Sequence, residues 1–359
     1  MMHRLRNAIL VGCVAGIALR CVPAPTVPTD SAVFTAEADA VWVLCEGLWR
    51  SNDSQLWHVG AQRATGDVVS LANLGERLGD TASDIVRNGD TLLVAVSGSR
   101  CIDAVDARTG MRLARIRLDG AKEPYRLALV NDSTLYCTNL NDDSMTEIDA
   151  RSLRVRIAHI PAGPAPEGVD ATAQLVAVAN SGLGDLRRSE ADAGTVYIYR
   201  RSDMLRMHVI TGLPNVASVR IDEARRLLWV SYRHFPSQPD SLGGVVAYDL
   251  STFAERVHRR VAAPRALEVD PVTGEIVVLH ADGVDAVTLT SQRRIATHRS
   301  DGDAVWYGMG LHPSDGTIWI GDAKSYLTPG DVVVLDRDGH EVKRLRVGRN
   351  PTAFVFPTD

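Results

Sequence analysis

Four carboxylates could work together if the fold gathers them: Glu46, Asp84, Glu167 and Asp322. Such a set, with His or Asn beside it, would hold the cation of a metal-dependent hydrolase. The same groups serve equally well as counter-charges for Arg126, Arg265 and Lys324. A second set suits recognition rather than catalysis. It comprises Trp49, Tyr125, Tyr232, Trp306, Tyr307, Tyr326, Asn180 and His280, together with those cations. Aromatic faces, amides and guanidiniums stack on and hydrogen-bond a polar ligand with a planar part. Covalent catalysis lacks support, because the chain has no Gly-x-Ser-x-Gly elbow and no His-x-x-x-His pair, and Ser181 has no obvious base. His58, His159, His208, His258, His298 and His340 fall on outer strands or turns, which leaves His280 near the candidate set. No cysteine has zinc-ligand spacing. No metal or cofactor is expected, and binding is favoured over catalysis.

Residues this far apart meet only if the chain returns to one place many times. Residues 306–356 show how. They split into short β-branched runs at His312-Pro313-Ser314-Asp315-Gly316, at a Pro/Gly loop over 326–330, and at Asp336-Arg337-Asp338-Gly339. Such runs read as consecutive antiparallel hairpins. The end of the third run, Asp336, recurs at Asp106, Asp149 and Asp249, and in weaker form at Gly60, Arg200 and Thr288. The spacings lie between 39 and 51 residues, the length of a four-stranded propeller blade. The Asp needs no role there beyond capping the turn that follows. Seven copies predict an all-β, seven-bladed β-propeller of four-stranded blades over residues 40–359.

The two ends of the chain are complementary. Residues 350–356 match the innermost strand of a unit and then stop, while 40–44 match a second strand that lacks its first. One blade is therefore predicted to be shared, with 353–356 pairing against 41–44 and leaving no open edge. A β-sandwich would not explain these half-units. In such blades the connection entering the first strand and the connection between the second and third lie on one face. The long insertions 44–55, 181–194, 233–243 and 324–330 fall there, and loops on a rigid scaffold carry function. The entry connections contribute Asp84, Tyr125, Arg126, Glu167, Asn215, Arg265, Trp306, Tyr307 and Asn350. The other connections contribute Glu46, Trp49, Ser97, Asn139, Asn180, Tyr232, His280, Asp322, Lys324 and Tyr326.

A net charge of −5, with 45% hydrophobic and 23% charged residues, describes a soluble globular chain. It has no polyelectrolyte run, so nucleic acid is not an expected partner. Arg4 and Arg6 precede an apolar run over residues 8–19, too short to span a bilayer and suited to a secretory signal. Export is expected, with 1–21 as the signal and 22–39 as a flexible spacer. Cys21 stands where a lipoprotein signal would place its acylated cysteine, although Arg20 is a poor residue before it. Leu10-Val11-Gly12-Cys13 fits that pattern better but leaves only a stub of apolar run. Cleavage by ordinary signal peptidase is the alternative. The remaining Cys45, Cys101 and Cys137 allow at most one bridge, and buried small hydrophobes are expected at Cys45 and Cys137.

Tyr307-Gly308-Met309-Gly310, Gly321-Asp322-Ala323-Lys324 and residues 350–356 resemble the YncE-like (YVTN-type) seven-bladed propellers of exported bacterial lipoproteins. So do Leu44-Cys45-Glu46-Gly47 and Pro166-Glu167-Gly168. The resemblance covers essentially the whole mature chain. It implies a monomer of the cell envelope, periplasmic or lipid-anchored to the outer membrane. Members closest to this pattern include surface lipoproteins that capture cobalamin and pass it to an outer-membrane transporter, so a small-molecule cargo and/or a transporter are the partners the resemblance implies. A protein-interaction platform without a small ligand is the alternative class, and a metal-dependent hydrolase or lactonase a third.

Overall fold

The computed structural model describes residues 34–61, 63–238, 242–298 and 304–357. The expected signal, Cys21 and most of the expected spacer lie outside them. The described chain forms seven four-stranded antiparallel sheets arranged as propeller blades. Within each blade the strands are designated A to D from the axis outward. Strand A is Pro351–Val355 in blade 1, Ala82–Asn88 in blade 2, Pro124–Val130 in blade 3 and Pro166–Ala171 in blade 4. It is Val216–Asp222, Ala266–Val269 and Trp306–Leu311 in blades 5 to 7.

Closure follows the expected pairing. Blade 1 takes its A strand from the end of the chain and its B strand, Val41–Cys45, from the beginning, with Trp42 opposite Val355 and Leu44 opposite Ala353. Third strands end at Val59, Asp106, Asp149, Arg200, Asp249, Val287 and Leu335, each within one residue of the predicted landmark. Asp106, Asp149, Asp249 and Asp336 each accept two backbone N–H bonds from the following turn, at 2.8–3.1 Å. Backbone donors of this kind hold the carboxyls of Asp149, Asp249 and Asp336 below the usual range.

Blade 1 departs from the repeat on its outer edge. Its D strand is two residues, Ala64–Thr65, and a short helix, Val68–Ala72, takes over the remaining cover. Gly66 and Asp67 end the strand, and Val68 and Val69 bury completely beside Leu56, Leu78 and Val105 between blades 1 and 2. Every other apolar cluster also bridges neighbouring blades. Met309 packs between blades 6 and 7, and Trp319 with Phe354 and Phe356 between blades 7 and 1. Cys45, Cys101 and Cys137 are free and buried. Burial pushes all three thiols up, Cys101 to about 11, so they are inert packing groups.

Two features of the backbone position the site. First, strand A carries a register shift at its entry in six blades, between Pro351/Ala353, Ala82/Asp84, Pro124/Leu127, Pro166/Val169, Val216/Ser218 and Trp306/Gly308. An extra residue in one strand re-aims side chains. Here it presents Tyr125, Glu167 and Tyr307 at one end of the axial channel. Second, the chain before Val41 lies at the other end. Ala36 donates to the Arg108 carbonyl, and Glu37 lies beside His58 and Arg63.

Candidate ligand site at the channel mouth

At the loop-rich end of the axis lies a cavity of about 250 Å3 lined by Glu46, Tyr125, Arg126, Arg233, Arg265, Tyr307 and Tyr326. A second cavity of about 260 Å3 continues inward past Asp84, Arg220 and Glu268. Arg126, Arg265, Ala266 and Thr352 line both. Each wall residue of the mouth cavity comes from the entry or start of an A strand or from a B–C connection, so blades 1, 2, 3, 5, 6 and 7 all contribute to it.

Most charges in the channel are already matched. Arg233 pairs with Glu167 at 2.5 Å, Arg220 grips Glu268 through two nitrogens at 2.8 and 3.1 Å, and Arg126 lies 3.8 Å from Asp84. Asp84 also accepts the backbone N–H groups of Ile85 and Leu127, the latter from the next blade. Burial nevertheless pushes its carboxyl above the usual range. Glu46 accepts the Tyr307 hydroxyl at 2.5 Å, and burial raises it against the pull of Tyr307 and Arg126. Tyr326 meets Tyr307 edge-on at 5.7 Å between ring centres, and the Arg126 guanidinium lies 4.9 Å over the Tyr125 ring.

Of the residues singled out from sequence, Glu46, Tyr125, Arg126, Arg265, Tyr307 and Tyr326 meet at the mouth. Asp84 lies just beneath, and Glu167 supports Arg233. The others lie elsewhere. Trp49 is 71% exposed with Arg50 over its ring at 4.1 Å. Asn139, Asn180, Tyr232, His280 and Asp322 share one position, the last residue of strand B in blades 3 to 7. That position is one strand out from the axis, about 4.8 Å away, and its side chains serve the blade. Asn139 donates to Ser144 and Thr146, and Asn180 fixes the Gly163 amide. The Tyr232 hydroxyl bonds His258 at 2.7 Å. His280 lies 3.2 Å from Asp285, which His280, Gln292 and Arg294 hold at about 2 against the upward push of burial. Asp322 caps a turn through the Val305 and Lys324 amides, while the Lys324 ammonium pairs with Asp331 at 2.7 Å. Trp306 lies tilted against His298, ring centres 4.8 Å apart, and its carbonyl accepts from Arg265. Ser97 bonds Ser83, and Asn350 bonds the Gly47 carbonyl. Asn215 is buried against the carbonyl of His234.

Arg233, Arg220 and Glu268 were missed from sequence. A signal for Arg233 existed, because it directly follows the last residue of strand B, as Glu46 does in blade 1. Arg220 and Glu268 lie deeper in the A strands, where no loop marks them. Among the described residues, one group brings three potential metal ligands together, Asp336, Asp338 and His340, in a hairpin turn away from the channel. There Asp336 already caps the turn. Glu46, Asp84, Glu167 and Asp322 do not converge as one ligand set.

No family model matches the chain, and no curated protein matches it in sequence. Solved structures do. The chain is similar to hydrazine synthase of Kuenenia stuttgartiensis, with 18% identity, TM-score 0.61, and coverage of 74% of this chain and 86% of that one. It is similar to a quinoprotein alcohol dehydrogenase-like protein of Bacteroides thetaiotaomicron, with 15% identity, TM-score 0.65, and coverage of 89% and 78%. The dihydro-heme d1 dehydrogenase NirN follows with 14% identity, TM-score 0.54, and coverage of 90% and 76%. At such identities the likeness establishes the seven-bladed fold and nothing about the chemistry.

Proposed function

We propose that this chain is an exported, non-enzymatic binding protein that takes a small-molecule ligand at the loop-rich mouth of its channel. The observation carrying this is the cavity walled by three tyrosines and three arginines at the end where the insertions cluster. Pockets of this kind, with aromatic walls and few convergent polar groups, are ligand sites by default. Catalysis is disfavoured because Glu46, Asp84 and Glu167 each have a hydroxyl, amide or guanidinium partner, which leaves no poised base.

The finer version follows the YncE-like resemblance: a cobalamin-like cargo captured for an outer-membrane transporter. A corrinoid far exceeds 250 Å3, so it would lie across the mouth with one substituent inserted. Residues 34–40 pack at the opposite end of the channel from the mouth. A protein-docking platform is the second reading. It draws on Trp49, Leu186, Leu242 and Leu327, which are 51–82% exposed on the insertions of that face.

A thermal-shift screen of residues 30–359 against cobalamins, haem, sugars, nucleotides and divalent cations tests the proposal, since a ligand of the folded state raises the melting temperature. A shift that Tyr307→Ala weakens supports it. A shift with Ca2+ alone would restore the hydrolase reading.

A further inference from the structure

We infer that the channel mouth selects ligands bearing a carboxylate on an aromatic body, and that Arg265 is the residue that seats the carboxylate. The inference rests on the ligand-binding reading above and specifies its chemistry. It comes from charge matching along the channel. Four guanidiniums converge there. Three have carboxylate partners: Arg126 with Asp84, Arg220 with Glu268 and Arg233 with Glu167. Arg265 is the exception among the described residues. Its Nη1 donates to the Trp306 carbonyl at 2.7 Å, and it makes no ion pair.

Arg265 is also reachable. It lines the mouth cavity and the cavity beneath it, and none of its nitrogens is enclosed without a partner. Its backbone is held by a 2.8 Å bond from its amide to the Leu279 carbonyl. A half-anchored guanidinium with spare donors is preorganised for a planar oxyanion, which it can meet through two parallel hydrogen bonds. Among the described residues Glu46 is the one carboxylate lining the mouth, and Tyr307 covers its Oε2. The body of the ligand would lie against Tyr125, Tyr307 and Tyr326. Their rings supply apolar area and aromatic faces of the kind that stack on a planar ligand. A volume of about 250 Å3 admits one or two fused rings with the acid group.

The test uses calorimetric titration of the whole mature protein with matched pairs: 4-hydroxybenzoate against 4-hydroxybenzamide, and 2-naphthoate against 2-naphthamide. The acids should bind at least about tenfold more tightly than the amides, a preference that shrinks as salt rises. Arg265→Gln should remove roughly tenfold to a hundredfold of acid affinity and leave amide affinity unchanged. Arg265→Lys should recover part of it. Arg188→Gln, on the 181–194 insertion, should change nothing. The melting temperature of unliganded Arg265→Gln checks its fold; if that variant fails to fold, the wild-type acid preference tests the ligand class and Arg265→Lys, with its weakened acid affinity and unchanged amide affinity, tests the residue. Equal binding of acid and amide, or an Arg265→Gln protein that binds acids normally, overturns the inference while the mouth remains a binding site. If neither acids nor amides bind and no compound of the wider screen does, the binding reading falls with it.

Discussion

The Tyr307–Glu46 bond offers the sharpest test of the site's electrostatics. Tyr307→Phe removes one hydroxyl, which donates to Glu46 Oε2 at 2.5 Å. A hydrogen bond to an ionised acceptor is worth roughly 1.5–3 kcal/mol, and one to a neutral acceptor roughly 0.5–1.5 kcal/mol. The loss should therefore be larger by about 1 kcal/mol where Glu46 is ionised than where it is protonated. The sign follows from linkage. Burial raises the folded carboxyl above its unfolded value, so the folded state binds the proton more tightly. Stability then falls as pH rises from the unfolded pKa through the folded one. Removing the hydroxyl raises the folded pKa further, by about one unit per 1.4 kcal/mol, so the decline deepens and extends to higher pH. Urea unfolding followed by tryptophan fluorescence at pH 4.5, 6 and 8 measures this for wild type, Tyr307→Phe, Glu46→Gln and the double variant. In the Glu46→Gln background the pH dependence of the Tyr307→Phe effect should vanish, as a double-mutant cycle requires for a direct pair. An equal Tyr307→Phe effect at pH 4.5 and 8, or one whose pH dependence survives Glu46→Gln, would refute the assignment.

Deleting residues 351–359 should abolish cooperative folding. It exposes the edge of Val41–Cys45 and loses the burial of Val355, worth roughly 1.5–3 kcal/mol, and part of that for each of the half-buried Phe354 and Phe356, against a typical total of about 5–15 kcal/mol. A permutant that joins 351–357 directly to Val41 should fold and melt near wild type, because Val355 already faces Trp42. Gly321→Ala should destabilise by about 1–3 kcal/mol in the same unfolding assay, since its Cβ would stand 1.9 Å from the Pro351 carbonyl oxygen of the closing strand. Chelator treatment should leave the melting temperature unchanged, because the channel carboxylates are engaged by protein donors. A drop of several degrees would point to a structural cation.

The architecture was legible in the chain because it rests on local chemistry repeated seven times. Strand period, turn residues and the Asp that closes four of the seven third strands are properties of neighbours in sequence, and the half-units at the ends specified closure without any knowledge of shape. Asp336 and Asp106 cap their turns as their positions predicted. The Val68–Ala72 helix was not legible. Its pair of valines suits a strand, and only the gap left by a two-residue outer strand makes a helix the better cover.

The site divides along the same line. Loop position is topological, so the amino-acid order alone brought the right face and most of the mouth residues into view. It did not separate Glu46 from Asp322 or Tyr307 from Tyr232, although each stands at a strand end near the same face. Packing in three dimensions made that choice. The register shift at the entry of strand A turns Tyr125 and Tyr307 toward the axis, while the last residue of strand B stays a strand's width away, committed to its own blade. Charge matching was decided there too: Arg126, Arg220 and Arg233 each find an acid on the neighbouring blade and Arg265 does not, which depends on how far apart the side chains of adjacent blades stand at the axis. Sequence spacing carries no record of that distance.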